Sequence, residues 1–310
     1  MFRAFAFVVI LGALSITVEA EPCPGAKNST IGKNPRMKVV ELPGRLFFGV
    51  RELALDFDGS PHAYGARDQG QENICAGLAP IAPPCRGKFR GPCYKVCQTT
   101  FASWSRSGGD PANLGKTMCS VGLGGAECSL PHVRFQRAPY QSYFVSETSL
   151  KVSPTSHLTA KFWQQEQAAQ LNPAAIRYLV VPSALIKQGI SFGDVGIAMD
   201  ARSRTSVPFI VGDGGGLGEG SVSLLADLRP TNPPQLQAGV SALGERVMRY
   251  KQGLTGDFRF VIFPHTASLV PGTRNVATQT SVELPAWIKS LALATFAKRT
   301  NEAEVLRCAP

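Results

Sequence analysis

Along this chain the apolar residues come in short runs of strand length rather than at helical spacing. The stretch "RLFFGVRELALDFDG" reads as a strand or hairpin that ends in an Asp58-Gly59 turn. From Tyr140 onward, "SYFVSETSL", "IRYLVVPSALI", "GDVGIAMD", "SVPFIVGD" and "DFRFVIFP" follow one another, bounded by Gly, Pro, Asp and Ser. "AMDARSRTSVPF" reads as a hairpin with Ala201 to Thr205 at its tip. Helical patterns are few: "PCYKVCQTTFASW", "KFWQQEQAAQL", "GEGSVSLLADL" and "LPAWIKSLALATFAKR". In the last, Trp287, Ile288, Leu291, Ala294 and Phe296 are expected to form a buried stripe. Many short strands with few helices predict a mainly β (α+β) fold, a small mixed β-barrel rather than a doubly wound sheet.

The first 20 residues change the compartment expected for this barrel. Arg3, an apolar stretch from Ala4 to Val18 and the small residues around Ala20 have the layout of a secretory signal peptide. Residues 21–44 read as an extended leader and 45–310 as a single domain. The eight cysteines suit an oxidising compartment. Six of them (Cys75, Cys85, Cys93, Cys97, Cys119, Cys128) fall within residues 75–137, which read as a Gly- and Pro-rich insertion. Cys23 and Cys308 flank the rest. The simplest pairing is three bridges inside the insertion and one clasp between the ends, although spacing alone leaves 105 pairings open.

Net charge is +10, but it is concentrated. The insertion holds eight Lys/Arg against Asp110 and Glu127, so 8 − 2 = +6, and the rest of the chain carries the remaining +4. That distribution argues against a nucleic-acid-binding chain and for contact between residues 75–137 and an acidic cell surface, or for a solvated face. No later apolar run is long enough for stable membrane insertion.

The densest chemistry lies in "VPFIVGDGGGLGEGSVSLL". No register gives the dinucleotide fingerprint, and no Gly-Lys-Ser/Thr follows, so nucleotide binding is not expected. Instead the glycines let the chain reverse between Asp213, at the end of a strand, and Glu219, at the start of the next helix. Paired carboxylates across such a bend suit glycosidic bond cleavage, in which one protonates the leaving oxygen and the other activates water. On physics alone, a helix N-terminus favours Glu219 as base, and apolar walls would make Asp213 the acid. The rival reading makes Glu219 a helix cap and Asp213 a turn cap. The four histidines show no metal spacing, and no metal or cofactor is expected.

The order of these segments, from "LALDFDGSPHAYG" through "FGDVGIAMDARSRTSVPFIVGDGGGLGEGSVSLLADL" to "FVIFP", resembles the chitosanases of glycoside hydrolase family 75 over about Leu46 to Pro264. The resemblance implies a secreted enzyme that cleaves β-1,4-linked glucosamine polymer with inversion, its catalytic Asp and Glu matching Asp213 and Glu219. It also implies that Asp56, Asp58, Asp68 and Glu147 line subsites for glucosamine ammonium groups. The expected partner is therefore a polysaccharide, chitosan or partly deacetylated chitin. The expected fold is a small mixed barrel, double-psi-like, with a disulfide-rich insertion. A +6 lobe repels a polycation, so an acidic peptidoglycan substrate and a non-catalytic wall-binding role remain the alternatives.

Overall fold

The computed structural model describes residues 23–31, 37–60, 133–137, 142–146, 148–152, 168–240, 246–250, 253–268 and 282–310. The signal, residues 75–132 of the cysteine-rich insertion, Asp68, Glu147 and the "KFWQQEQ" part of one expected helix lie outside them. The strands, in chain order, are β1 (Lys27–Ile31), β2 (Met37–Leu42), β3 (Arg45–Asp56), β4 (Val133–Arg137), β5 (Ser142–Ser146), β6 (Tyr178–Val181), β7 (Val195–Asp200), β8 (Thr205–Gly214), β9 (Glu219–Ser221), β10 (Leu236–Val240), β11 (Arg246–Tyr250) and β12 (Leu254–Phe263). Four helices accompany them among the described residues: α1 (Ser183–Ile186), α2 (Val222–Leu228), α3 (Leu284–Arg299) and α4 (Glu302–Cys308). None is long and apolar enough to cross a membrane.

The main sheet runs β1-β2-β3-β12-β7-β8-β6-β9, and a further pairing of β9 with β3 closes six of its strands into a barrel. Two neighbouring pairs, β3 with β9 and β6 with β8, are parallel; the rest are antiparallel. The expected mixed barrel is therefore present. The hairpin read at 201–205 is present too, with β7 and β8 paired from Asp200↔Thr205 back to Val195↔Ile210. β1 and β2 differ from the expected leader. Met37, Val39, Val40 and Leu42 are buried, and β2 pairs along β3 from Val39↔Phe48 to Leu42↔Arg45. Alternation in "MKVVEL" is enough to join a sheet edge once a partner strand lies beside it.

Successive residues of the barrel strands serve two cores, as a period of two requires. Phe48, Phe209, Phe258, Phe260 and Ile262 fill the interior. There Phe48 stacks on Phe260 with ring centroids 4.9 Å apart, and Phe209 meets Phe260 edge-on at 6.1 Å. Phe47, Tyr178, Val195, Ile197, Val261 and Phe263 belong to the outer wall, which α3 and α4 cover with Leu284, Ile288, Ala292 and Val305. The stripe on α3 is displaced from the expected one. Ile288 is buried and Trp287, Leu291 and Phe296 are partly so, but Leu284, Ala292 and Thr295 complete the contact and Ala294 is exposed. Six residues beyond Ile288, Ala294 lies about 240° around the helix, off the buried face.

Two devices fasten the barrel. A disulfide joins Cys23 to Cys308 across 285 residues, the clasp expected between the ends. A buried Asp200 carboxylate pairs with Arg229 at 2.7 Å, and the same guanidinium lies over the Phe258 ring.

Candidate functional site: an acid cluster on the barrel wall

On β8 the alternation Val207, Phe209, Val211 faces the interior. Strict alternation would turn Asp213 inward as well. It does not, because the parallel register with β6 skips a residue: Leu179 pairs with Val211, but Val180 pairs with Asp213. Gly212 is the extra residue of this bulge, which re-aims the side chain that follows it. Only glycine fits there, since a Cβ would lie 2.6 Å from both Leu171 Cδ1 and Tyr178 Cβ. Asp213 therefore shares the outer face with Val180, and so does Glu219, which pairs with Val180 from the other side and with Ala54 of β3. Two positions along β3, Asp56 sits opposite Ser221 on the same face.

Glu219 is not at a helix N-terminus. It opens β9, and α2 is capped by Ser221, whose Oγ accepts from Leu224 N and from Tyr178 N. The expected help from a helix dipole is absent, and the capping role falls to Ser221. Glu219 instead folds back over the bend. A Cβ on Gly216 would meet its Oε1 at 2.2 Å, and one on Gly215 its Oε2 at 3.5 Å. Gly218 adopts φ +76°, the left-handed turn that returns the chain to β9, and its carbonyl accepts from Ala54 N. The glycines thus serve two needs, a tight reversal and room for a carboxylate.

The surroundings of Asp213 are polar, not the apolar walls expected. Its Oδ1 accepts from Ser149 N at 3.0 Å, Ser149 Oγ at 2.5 Å and Gly214 N at 2.7 Å. Ser149 is brought there by residues 148–152, which dock on the bulge through Leu150 N to the Gly212 carbonyl at 2.9 Å. The turn-capping reading of Asp213 is therefore correct as far as it goes, and the carboxylate also faces other acids. One oxygen each from Asp56, Asp58 and Asp213 lie within 4.8 Å of one another. Asp56 is 9 % exposed. Burial, then the nearby charges of Asp213 and Glu219, push its carboxyl up to about 7, against the opposing hydrogen bonds from Asp58 N and Tyr178. Tyr178 is fully buried beneath the cluster and donates from its hydroxyl to the Asp58 carbonyl at 2.7 Å.

The structure thus brings Asp213, Glu219, Asp56 and Asp58 together. Glu147, like Asp68, lies outside the described residues. Tyr178 and Ser149 were not anticipated. Tyr178 reads as one more strand core residue, and only its hydroxyl hints at a polar partner. The signal for the bulge was present, since an isolated glycine within a strand pattern marks one. Three close carboxyls are a spacing a cation can share. Protein N–H and O–H groups also meet two of them, Asp56 from Asp58 N and Asp213 from Ser149 and Gly214 N. No protein-family model matches the chain, and no curated protein matches it in sequence.

Proposed function

We propose that this chain is a secreted, inverting endo-glycoside hydrolase that cleaves β-1,4-linked glucosamine polymer, chitosan or partly deacetylated chitin, as the chitosanases of glycoside hydrolase family 75 do. One observation carries the proposal: Asp213 and Glu219 flank the same residue, Val180, on the two strands beside β6. Two strand spacings separate their backbones by roughly 9–10 Å. Inverting glycosidases hold their carboxyls roughly 6.5–9.5 Å apart, leaving room for a water, whereas retaining enzymes need roughly 5–5.5 Å. The loop beside them is open to solvent at Ser149, Gly215 and Gly216.

The roles are reversed from those that sequence position suggested. Asp213, with three donors on one oxygen, is the general base: it takes a proton from water as the water oxygen attacks the anomeric carbon. Glu219, on the glycine bend, gives its proton to the glycosidic oxygen as the carbon–oxygen bond breaks. Asp58 and Glu147 serve as acids for glucosamine ammonium groups. The parallel pairs β3–β9 and β6–β8 within an otherwise antiparallel barrel support a double-psi connectivity. The Cys23–Cys308 bridge supports an oxidising compartment.

The test is release of reducing ends from chitosan by the purified protein beside Asp213→Asn and Glu219→Gln. Loss of about 10²-fold or more in both variants supports the pair; equal activity in all three forms excludes it. The +6 charge of residues 75–137 favours a second reading, hydrolysis of acidic peptidoglycan on the same site. Clearing of isolated cell walls with chitosan left intact would select it.

A further inference from the structure

Asp56, which the family resemblance placed with Asp58 among the ammonium-binding acids, is neither the acid nor the base of the proposed reaction, and its enclosure sets it apart from Asp58. It lies on β3, separated by β9 and β6 from the strand that carries Asp213, and is almost wholly enclosed. Four groups face it from four elements: Asp213 from β8, Glu219 from β9, Tyr178 from β6, and Asp58 from the turn after β3. Three of these are acids. Bringing a third ionised carboxylate against Asp213 in a buried place is unfavourable unless a proton or cation accompanies it.

Burial and hydrogen bonds say where the proton sits. A phenol has one hydrogen to give. Tyr178 gives it to the Asp58 carbonyl at 2.7 Å. Asp56 Oδ1 accepts from Asp58 N at 3.0 Å. Enclosed, and with an oxygen within 4.8 Å of those of Asp58 and Asp213, the Asp56 carboxyl is the one that favours its neutral form. Asp213 meets a different set, three donors on one oxygen, which suits the ionised form.

We propose that Asp56 is a proton-holding positioning residue: its neutral carboxyl, held by Asp58 N, keeps Asp213 the sole ionised member of that pair. This rests on the hydrolase reading for its consequence, because a charged Asp56 would repel Asp213 and draw a proton onto the group that must accept one from water. Activity accordingly falls as pH rises through the ionisation of Asp56.

Carbon-13 NMR of the full protein, labelled at aspartate carboxyls and without substrate, tests the proton's place. One carboxyl should titrate near neutral pH, vanish in Asp56→Asn, and shift down by about one unit in Asp213→Asn, where a like charge is removed. A neutral-range signal that survives in Asp56→Asn, or its absence from the unaltered protein, overturns the proposal. In the pH profile of chitosan hydrolysis, Asp56→Asn should lack the limb near pH 7, whatever its maximum rate, and a retained limb counts against the role. A titrating Asp56 in a protein inert toward chitosan upholds the proton's place and removes the hydrolase reading, so the two fail separately.

Discussion

Gly216→Ala isolates the claim that the glycine bend exists partly to make room for a carboxylate. The added methyl would lie 2.2 Å from Glu219 Oε1, 2.8 Å from Cδ and 3.3 Å from Oε2. An ordinary carbon–oxygen contact is about 3.3 Å or more, so the carboxylate has to withdraw by about 1 Å. Misplacing a reacting group by about 1 Å costs about 10²-fold in rate, or about 2.7 kcal/mol of transition-state stabilisation. The fold should barely notice. Gly216 is exposed and is not among the glycines at positive φ, so alanine fits the backbone there, and a Gly→Ala change at a compatible position shifts stability by less than about 1 kcal/mol. Gly218→Ala makes the control. Gly218 is at φ +76° with the Glu52 carbonyl oxygen 2.9 Å from the would-be Cβ, so alanine strains the backbone and should cost about 1–3 kcal/mol. Steady-state hydrolysis of chitosan gives kcat/KM, and urea denaturation gives stability. Gly216→Ala with unchanged kcat/KM would refute the reasoning, as would a large loss of stability there with none at Gly218.

Three further outcomes follow from the packing and the electrostatics. In the fold Asp56 keeps its proton to about pH 7, while in the unfolded chain it ionises near 3.8. The native state thus binds the extra proton, the stabilisation is complete below about pH 3.8, and about 1.4 kcal/mol is lost per unit until about pH 7. Asp56→Asn removes that slope, so its stability relative to the wild type should improve by about 4 kcal/mol between those limits in urea titrations; parallel curves would contradict it. Arg229→Met leaves the Asp200 carboxylate buried without its partner and should cost about 3–5 kcal/mol by thermal or urea unfolding, whereas a loss under about 1 kcal/mol would mean that the pair is not desolvated. Cys23→Ser with Cys308→Ser opens a 285-residue loop and should lower stability by about 2–5 kcal/mol under oxidising conditions, with no difference from wild type once both are reduced.

The strand pattern made most of the barrel legible. "GDVGIAMD" and "SVPFIVGD" mark β7 and β8, the polar tip between them marks their turn, and "DFRFVIFP" marks β12, because alternation of two buried faces is a local property. Closure of β9 onto β3 was not legible, since a three-residue strand carries no period and its pairing is long-range. The helix start was misread for a related reason. "GEGS" offers both Glu219 and Ser221 as caps, and only the demand of Tyr178 N for an acceptor selects Ser221. Asp213 and Glu219 were identified in sequence as a pair, but their surroundings were not. Ser149 reaches Asp213 from 64 residues away, and the enclosure of Asp56 depends on strands that are adjacent only in the folded chain.

The central claim is that two carboxylates, two strand spacings apart on the outer wall, act on one glycosidic bond with a water between them. Proton NMR of the anomeric signals in the first turnovers on a chitosan oligomer reads this most directly. The account predicts that the newly formed reducing end appears first as the α-anomer, inverted from the β-linkage. Initial appearance of the β-anomer would mean a retaining enzyme with closely set carboxyls, and would contradict it.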